Sequence, residues 1–134
     1  MRYLLDSNAA NDYIHQKHGV FERAIREVAY GHRIGIGIPV LAELIAGIEL
    51  SQSRDKNLNQ LELAMEHLRL WPFAEAAAYV YGKLHADLQL KGKPIGTIDV
   101  MIAATALVMR PCKVVTTDQD FGVIPGLEVV NWRV

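Results

Sequence analysis

The chain has 134 residues, 51% hydrophobic and 22% charged, a balance that fits one globular domain spanning 1–134 and excludes a disordered polypeptide. A formal net charge of −1 argues against a stoichiometric DNA-packaging role and otherwise says little about partners, leaving room for a nuclease with clustered bases and acids gathered in a site. The single cysteine, Cys112, rules out a disulfide framework and a zinc–thiolate spacing, which points to a reducing compartment.

Taken in chain order, Arg2–Leu5 reads as a short buried strand. Asp6-Ser7-Asn8 follows it and supplies side-chain caps for a helix from about Ala9. Asp6 and Asn8 also fall where the apolar centre of a signal peptide would run, so no leader is expected. Phe21, Ala24, Ile25, Val28 and Ala29 have the spacing of an amphipathic helix over Val20–Tyr30, with Gly31 at its end. Arg33–Ile38 alternates isoleucine with glycine and reads as a strand approached closely by another backbone. Gly35 and Gly37 lack the third glycine of a dinucleotide-binding loop.

Pro39 suits the first turn of a helix running to about Leu50, with Leu41, Leu44, Ile45 and Ile48 facing inward. Two more helices are expected over Lys56–Leu70 and Ala74–Leu90, then a turn at Lys91-Gly92-Lys93-Pro94. Thr97 is the expected N-cap of a helix containing Asp99 and the apolar run Val100–Met109. That run is too short to span a bilayer, and Ile34–Leu50 is interrupted by Pro39, Glu43 and Glu49, so a soluble cytoplasmic protein without membrane contact is expected. Lys113–Thr116 and Leu127–Asn131 complete the elements as strands.

Strands separated by helices imply an α/β three-layer sandwich: a central, mostly parallel sheet of four or five strands flanked by helices. In such sheets ligands collect beyond the carboxyl ends of the strands. Asp6 and Asp118 each come directly after a strand and so belong to the same rim. Asp99 lies in the first turn of a helix that is apolar all round, and Glu43 sits on the flank of an apolar helical stripe. Asp120 shares the turn Thr117-Asp118-Gln119-Asp120, with Asp118 nearer the strand. Carboxylates beside buried segments are desolvated and repel one another, and four of them converging need a cation. For oxygen-only donors that cation is Mg²⁺, with Mn²⁺ as a substitute. The five histidines form no site by spacing, whereas Lys91, Lys93, Arg54 and Lys56 are candidates for a basic rim that a phosphate backbone would require.

The ordered motifs Tyr3-Leu4-Leu5-Asp6-Ser7-Asn8, Leu41 to Gly47, Lys93-Pro94-Ile95-Gly96 before Asp99, Val115 to Phe121, and Ile124-Pro125-Gly126-Leu127 before Trp132 resemble the PIN-domain ribonucleases. In order, spacing and length the whole chain resembles VapC, the toxin of bacterial type II toxin–antitoxin pairs. The resemblance implies a PIN-like fold and a Mg²⁺-dependent endoribonuclease, usually a homodimer, held inactive by a small cognate antitoxin, with larger toxin–antitoxin assemblies open to it. The family's acids carry over onto Asp6, Glu43, Asp99 and Asp118, with Asp6 and Asp99 on the metal directly and Glu43 and Asp118 direct or through water. Asp120 remains an alternative to Asp118. Ser7 stands where threonine is usual and keeps the hydroxyl. Ser7, Asn8, Thr116 and Asp120 are supporting residues. The segment at Lys93–Gly96 resembles the branch that cuts initiator tRNA in its anticodon stem-loop.

A bound divalent ion would supply an acidic water and offset charge growing on the phosphate, so cleavage would leave a 5′-phosphate and a 3′-hydroxyl. A receiver-like signalling domain is a rival, but it needs an acidic pair beside the phosphorylated aspartate, and Asp6 has no adjacent acid. An aspartate-nucleophile phosphatase needs an acid where Asn8 stands. A non-catalytic RNA-binding module is the reading that survives if the four acids do not meet.

Overall fold

The computed structural model describes all residues, 1–134. β1 (Arg2–Leu5), β2 (Arg33–Gly37), β3 (Arg69–Trp71), β4 (Cys112–Val115) and β5 (Glu128–Val130) form one sheet in the order β3-β2-β1-β4-β5. All four pairings are parallel. Six helices flank the sheet: α1 (Ser7–Ile14), α2 (Val20–Ala29), α3 (Ile38–Leu50), α4 (Arg54–Met65), α5 (Glu75–Leu90) and α6 (Thr97–Val108). The result is the α/β sandwich expected from the alternation of strands and helices.

Central β1 explains why helices must lie on both faces. Tyr3, Leu4 and Leu5 are successive residues, so they point alternately to opposite faces, and all three are buried. The same holds for Val114 and Val115 in β4. Phe121, Ile36, Val20 and Val40 complete the densest part of the core. α6 supplies Ile102, Ala103 and Ala106 to it, and the two small alanines let the helix lie close to β4.

The chain leaves β1 for β2 and then β3 on one side, and later enters β4 and β5 on the other. The carboxyl ends of β1 and β4 therefore form the topological switch point, where an open parallel sheet leaves a crevice. Asp6 stands immediately beyond the end of β1, and Asp118 three residues beyond the end of β4.

Four expectations need correction. The helix expected over Lys56–Leu70 stops at Met65, and Arg69–Trp71 forms edge strand β3. Three residues with only Trp71 partly covered carry no period-2 signal, so β3 is visible only indirectly, through Gly35. A side chain at Gly35 would collide with the Arg69 backbone, its register partner in β3. Ile45 is exposed and does not face the core, because α3 buries Val40 fully but only half-buries Leu41, Leu44 and Ile48. Thr97 is the first residue of α6 and makes no cap bond; Gly96 is the N-cap. Asp6 itself caps α1, which begins at Ser7 instead of Ala9.

Candidate active site

Asp6 is placed by two neighbouring strands at once. Its backbone N–H donates to Val115 of β4 at 3.1 Å, extending the β1–β4 ladder by one residue. Its Oδ1 accepts from the Ala9 N–H at 2.8 Å, the N-cap bond of α1. Its Oδ2 accepts from the Thr116 hydroxyl at 2.5 Å, and Thr116 Oγ1 accepts in turn from the Asp118 N–H at 2.9 Å. Thr116 thus couples the ends of β1 and β4, which fixes Asp6 with only 4% of its surface exposed.

Glu43 reaches the same place from the second turn of α3, and Asp99 from the first turn of α6. A pocket of about 380 Å³ is lined by Asp6, Glu43, Asp99 and Asp118, together with Ser7, Asn8 and Thr97. All four acids expected from the sequence therefore meet at the switch point. Asp120 does not line the pocket. It is exposed, and its N–H donates to Asp118 Oδ1 at 2.9 Å, a turn bond that holds Asp118 in position.

The acids feel one another. Burial first, then the charges of Asp118, Asp6, Glu43 and Asp120, push the Asp99 carboxyl from 3.8 to about 6. Burial also raises Asp6, against the lowering effect of its bonds from Thr116 and Ala9. Such a site is short of positive charge. No trio of His, Cys, Asp or Glu side chains already surrounds a common point as a metal's ligands would. Mg²⁺ does not require such a trio, since it commonly binds through one or two carboxylates and keeps several waters. The donor set fits that habit: every charged group is an oxygen acid, and the Ser7 hydroxyl is buried without a protein partner. An unpaired buried hydroxyl beside carboxylates suits a hydrated cation.

Of the expected basic rim, Arg54 is spoken for. It pairs with Glu49 at 2.8 Å and Asp55 at 2.9 Å on the surface. Lys91, Lys93 and Lys56 are exposed without ion pairs. Sequence reasoning missed Asp12, which is 4% exposed one helical stretch behind Asp6 and forked by Arg133 at 2.7 and 3.2 Å. The two are 121 positions apart, so no local signal could have paired them. Arg133 holds the C-terminal tail against α1 while Trp132 packs on Tyr3 and under Arg23. Cys112 is buried, and burial lifts its thiol to about 11, so it offers no nucleophile at neutral pH.

An α/β sheet with oxygen acids from β1, α3, α6 and the end of β4 converging on its switch point is the architecture of a PIN-type domain, and the profile of the PIN domain matches residues 3–127. The chain belongs to the PIN-domain family, and its relatives there are VapC ribonucleases. Ribonuclease VapC2 of Rickettsia felis is 30% identical over 132 residues, 98% of each chain. The tRNA(fMet)-specific endonuclease VapC of Salmonella typhimurium is 36% identical over 101 residues, 75% of this chain and 76% of its own. The crystal structure of VapBC2 from Rickettsia felis bound to a promoter DNA fragment contains a chain that superposes with a TM-score of 0.90. The two are 29% identical, over 98% of this chain and 99% of that one. No helix of the protein is long and apolar enough to cross a membrane.

Proposed function

We propose that this protein is a Mg²⁺-dependent endoribonuclease, the toxin of a type II toxin–antitoxin pair, acting on RNA and most specifically on the anticodon stem-loop of initiator tRNA. The observation that carries the reading is the convergence of Asp6, Glu43, Asp99 and Asp118 on one pocket at the switch point. The names of the relatives, VapC ribonucleases and one tRNA(fMet)-specific endonuclease, support the substrate class.

In this account Asp6 and Asp99 hold the ion directly, and Glu43 and Asp118 hold it directly or through water, with Mn²⁺ able to replace Mg²⁺. An ion held by these carboxylates would supply an acidic water and offset charge on the scissile phosphate. Thr116 orients Asp6 by donating to Oδ2, a bond that favours the carboxylate against the larger raising effect of burial, and its own orientation is set by the Asp118 N–H. Ser7 and Asn8 face the pocket and orient water or phosphate oxygens. Ser7 has no hydrogen-bonded base, so no side chain is activated as a nucleophile. Hydrolysis breaks the bond from phosphorus to the 3′-oxygen and leaves a 5′-phosphate and a 3′-hydroxyl.

A cytoplasmic ribonuclease of this kind needs a cognate antitoxin. The α3–α4 face supports one, since Leu50 and Leu63 are 89% and 62% exposed and Ile45 also faces solvent. An antitoxin tail along that face would present an arginine to the carboxylates, because a guanidinium pairs bidentately and keeps its charge. Exposed Ile25 and Val28 on α2 and Tyr79 on α5 offer further apolar surface for a homodimer or a larger toxin–antitoxin assembly.

The test is the purified protein with a tRNA pool, with Mg²⁺ or with EDTA, followed by end-mapping. Mg²⁺-dependent cuts bearing 5′-phosphates are expected. Cutting that persists in EDTA, or cyclic-phosphate ends, would overturn the mechanism.

A further inference from the structure

Beside the acidic pocket lies a second cavity of about 240 Å³, between α1, α3 and α4, and Glu43 lines both. Its walls carry exposed Asn11 of α1, exposed His15 just after that helix, and Asn57 of α4, over a floor of Leu44, Ile48 and Leu61. We propose that this cavity is a nucleobase subsite that receives one unstacked base of the RNA next to the scissile phosphate. The proposal rests on the ribonuclease reading above and adds a determinant of which RNA is cut.

Three observations converge on it. The size is below the roughly 300–1,000 Å³ of cavities that enclose drug-sized ligands, and suits a single planar ring system. The lining is of the kind that bases use. Single-stranded RNA is read by splaying a base out, placing its face on apolar or aromatic groups and bonding its edge to side chains that both donate and accept. The Asn11 amide has no partner in the protein, and Asn57 spends one N–H on Ser51 Oγ at 3.0 Å while its carbonyl oxygen has none. The third observation is Gly47, which lines the cavity from the middle of α3. A β-carbon there would meet nothing within 4 Å. Glycine weakens a helix interior relative to alanine, and the protein's own packing does not require one here. The space it leaves opens onto the cavity. Sharing Glu43 with the carboxylate pocket sets the cavity beside the phosphate being cut, so a base of the substrate lies within its reach, and an antitoxin tail laid along α3–α4 would displace that base.

The experiment uses the anticodon stem-loop oligonucleotide whose cleaved bond has been end-mapped, and copies with an abasic residue at each position flanking that bond. Wild-type protein should cut the intact RNA roughly ten-fold faster than one of the abasic copies, the size of a lost base contact. Gly47→Leu, whose side chain enters the cavity one helical turn from Glu43, should bring that ratio close to one, and retained cutting of the abasic copy shows that Glu43 still serves the carboxylate pocket. Asn11→Ala should reduce the ratio and flatten preference among the four bases at that position. A wild type indifferent to every abasic copy, or a Gly47→Leu protein with the wild-type ratio, would overturn the subsite and leave the ribonuclease reading standing. If Gly47→Leu kept the ratio and lost only antitoxin binding, the cavity would belong to a peptide and the proposal would fail. If the wild type cut no RNA with Mg²⁺ or Mn²⁺, the ribonuclease reading itself would fall and take the subsite with it.

Discussion

Replacing Asp99 by asparagine should stabilise the metal-free protein and abolish its cleavage of RNA. Asp99 makes no hydrogen bond that asparagine would lose, and its carboxyl is pushed from 3.8 to about 6 by burial and by Asp118, Asp6, Glu43 and Asp120. A shift of that size corresponds to about 3 kcal/mol against the ionised form. Water reaches this half-buried group, so screening reduces the penalty to on the order of 1 kcal/mol. Between pH 4 and 6 the folded protein holds a proton that the unfolded chain has released, so stability falls as pH rises through that window. The penalty is absent below it and complete above it. Thermal melts in EDTA should therefore show Asp99→Asn about 3–4 °C more stable than wild type at pH 7.5, with the gain gone by pH 4. A gain independent of pH, or a variant less stable at pH 7.5, would refute the account of Asp99 as a repelled carboxylate.

Asp6→Asn should also abolish cleavage but gain less stability than Asp99→Asn, because the amide keeps one acceptor oxygen for two donors, the Ala9 N–H and the Thr116 hydroxyl; the same melts compare the two. Thr116→Val removes that donor and leaves the Asp118 N–H unpaired, which should cost about 1–3 kcal/mol in urea unfolding. Asp118→Asn should lower the cleavage rate far more than Asp120→Asn, since only Asp118 lines the pocket; equal losses would restore Asp120 as the fourth acid. Gly35→Ala should lose about 1–3 kcal/mol by forcing β3 away from β2, and an unchanged urea midpoint would mean the edge strand yields freely.

The parts of the fold that were legible in the sequence are those with a strong local cause. Tyr3-Leu4-Leu5 of β1 and Val114-Val115 of β4 are apolar runs because helices cover both faces, and Asp6 and Asp118 could be placed on one rim because each comes within three residues of such a run's end. β3 was illegible because Arg69-Leu70-Trp71 is a short edge whose pairing is written in the glycine opposite it, not in its own pattern. The periodicity of α3 marks its apolar residues correctly and still misplaces Ile45, since a small core covers only part of a wide stripe. Glu43 and Asp99 could be suspected from their apolar neighbours, but their distance from Asp6 is set by helix docking. The Asp12–Arg133 pair depends on the return of the C-terminal tail to α1.

The account's central claim, that these carboxylates form a divalent-metal centre, is tested most directly by Mn²⁺ binding followed through the EPR signal of free Mn²⁺. Wild-type protein should remove Mn²⁺ from solution saturably, Mg²⁺ should compete for it, and Asp6→Asn and Asp99→Asn should each weaken binding by at least ten-fold. Binding unaffected by both substitutions, or no saturable binding by the wild type, would contradict it.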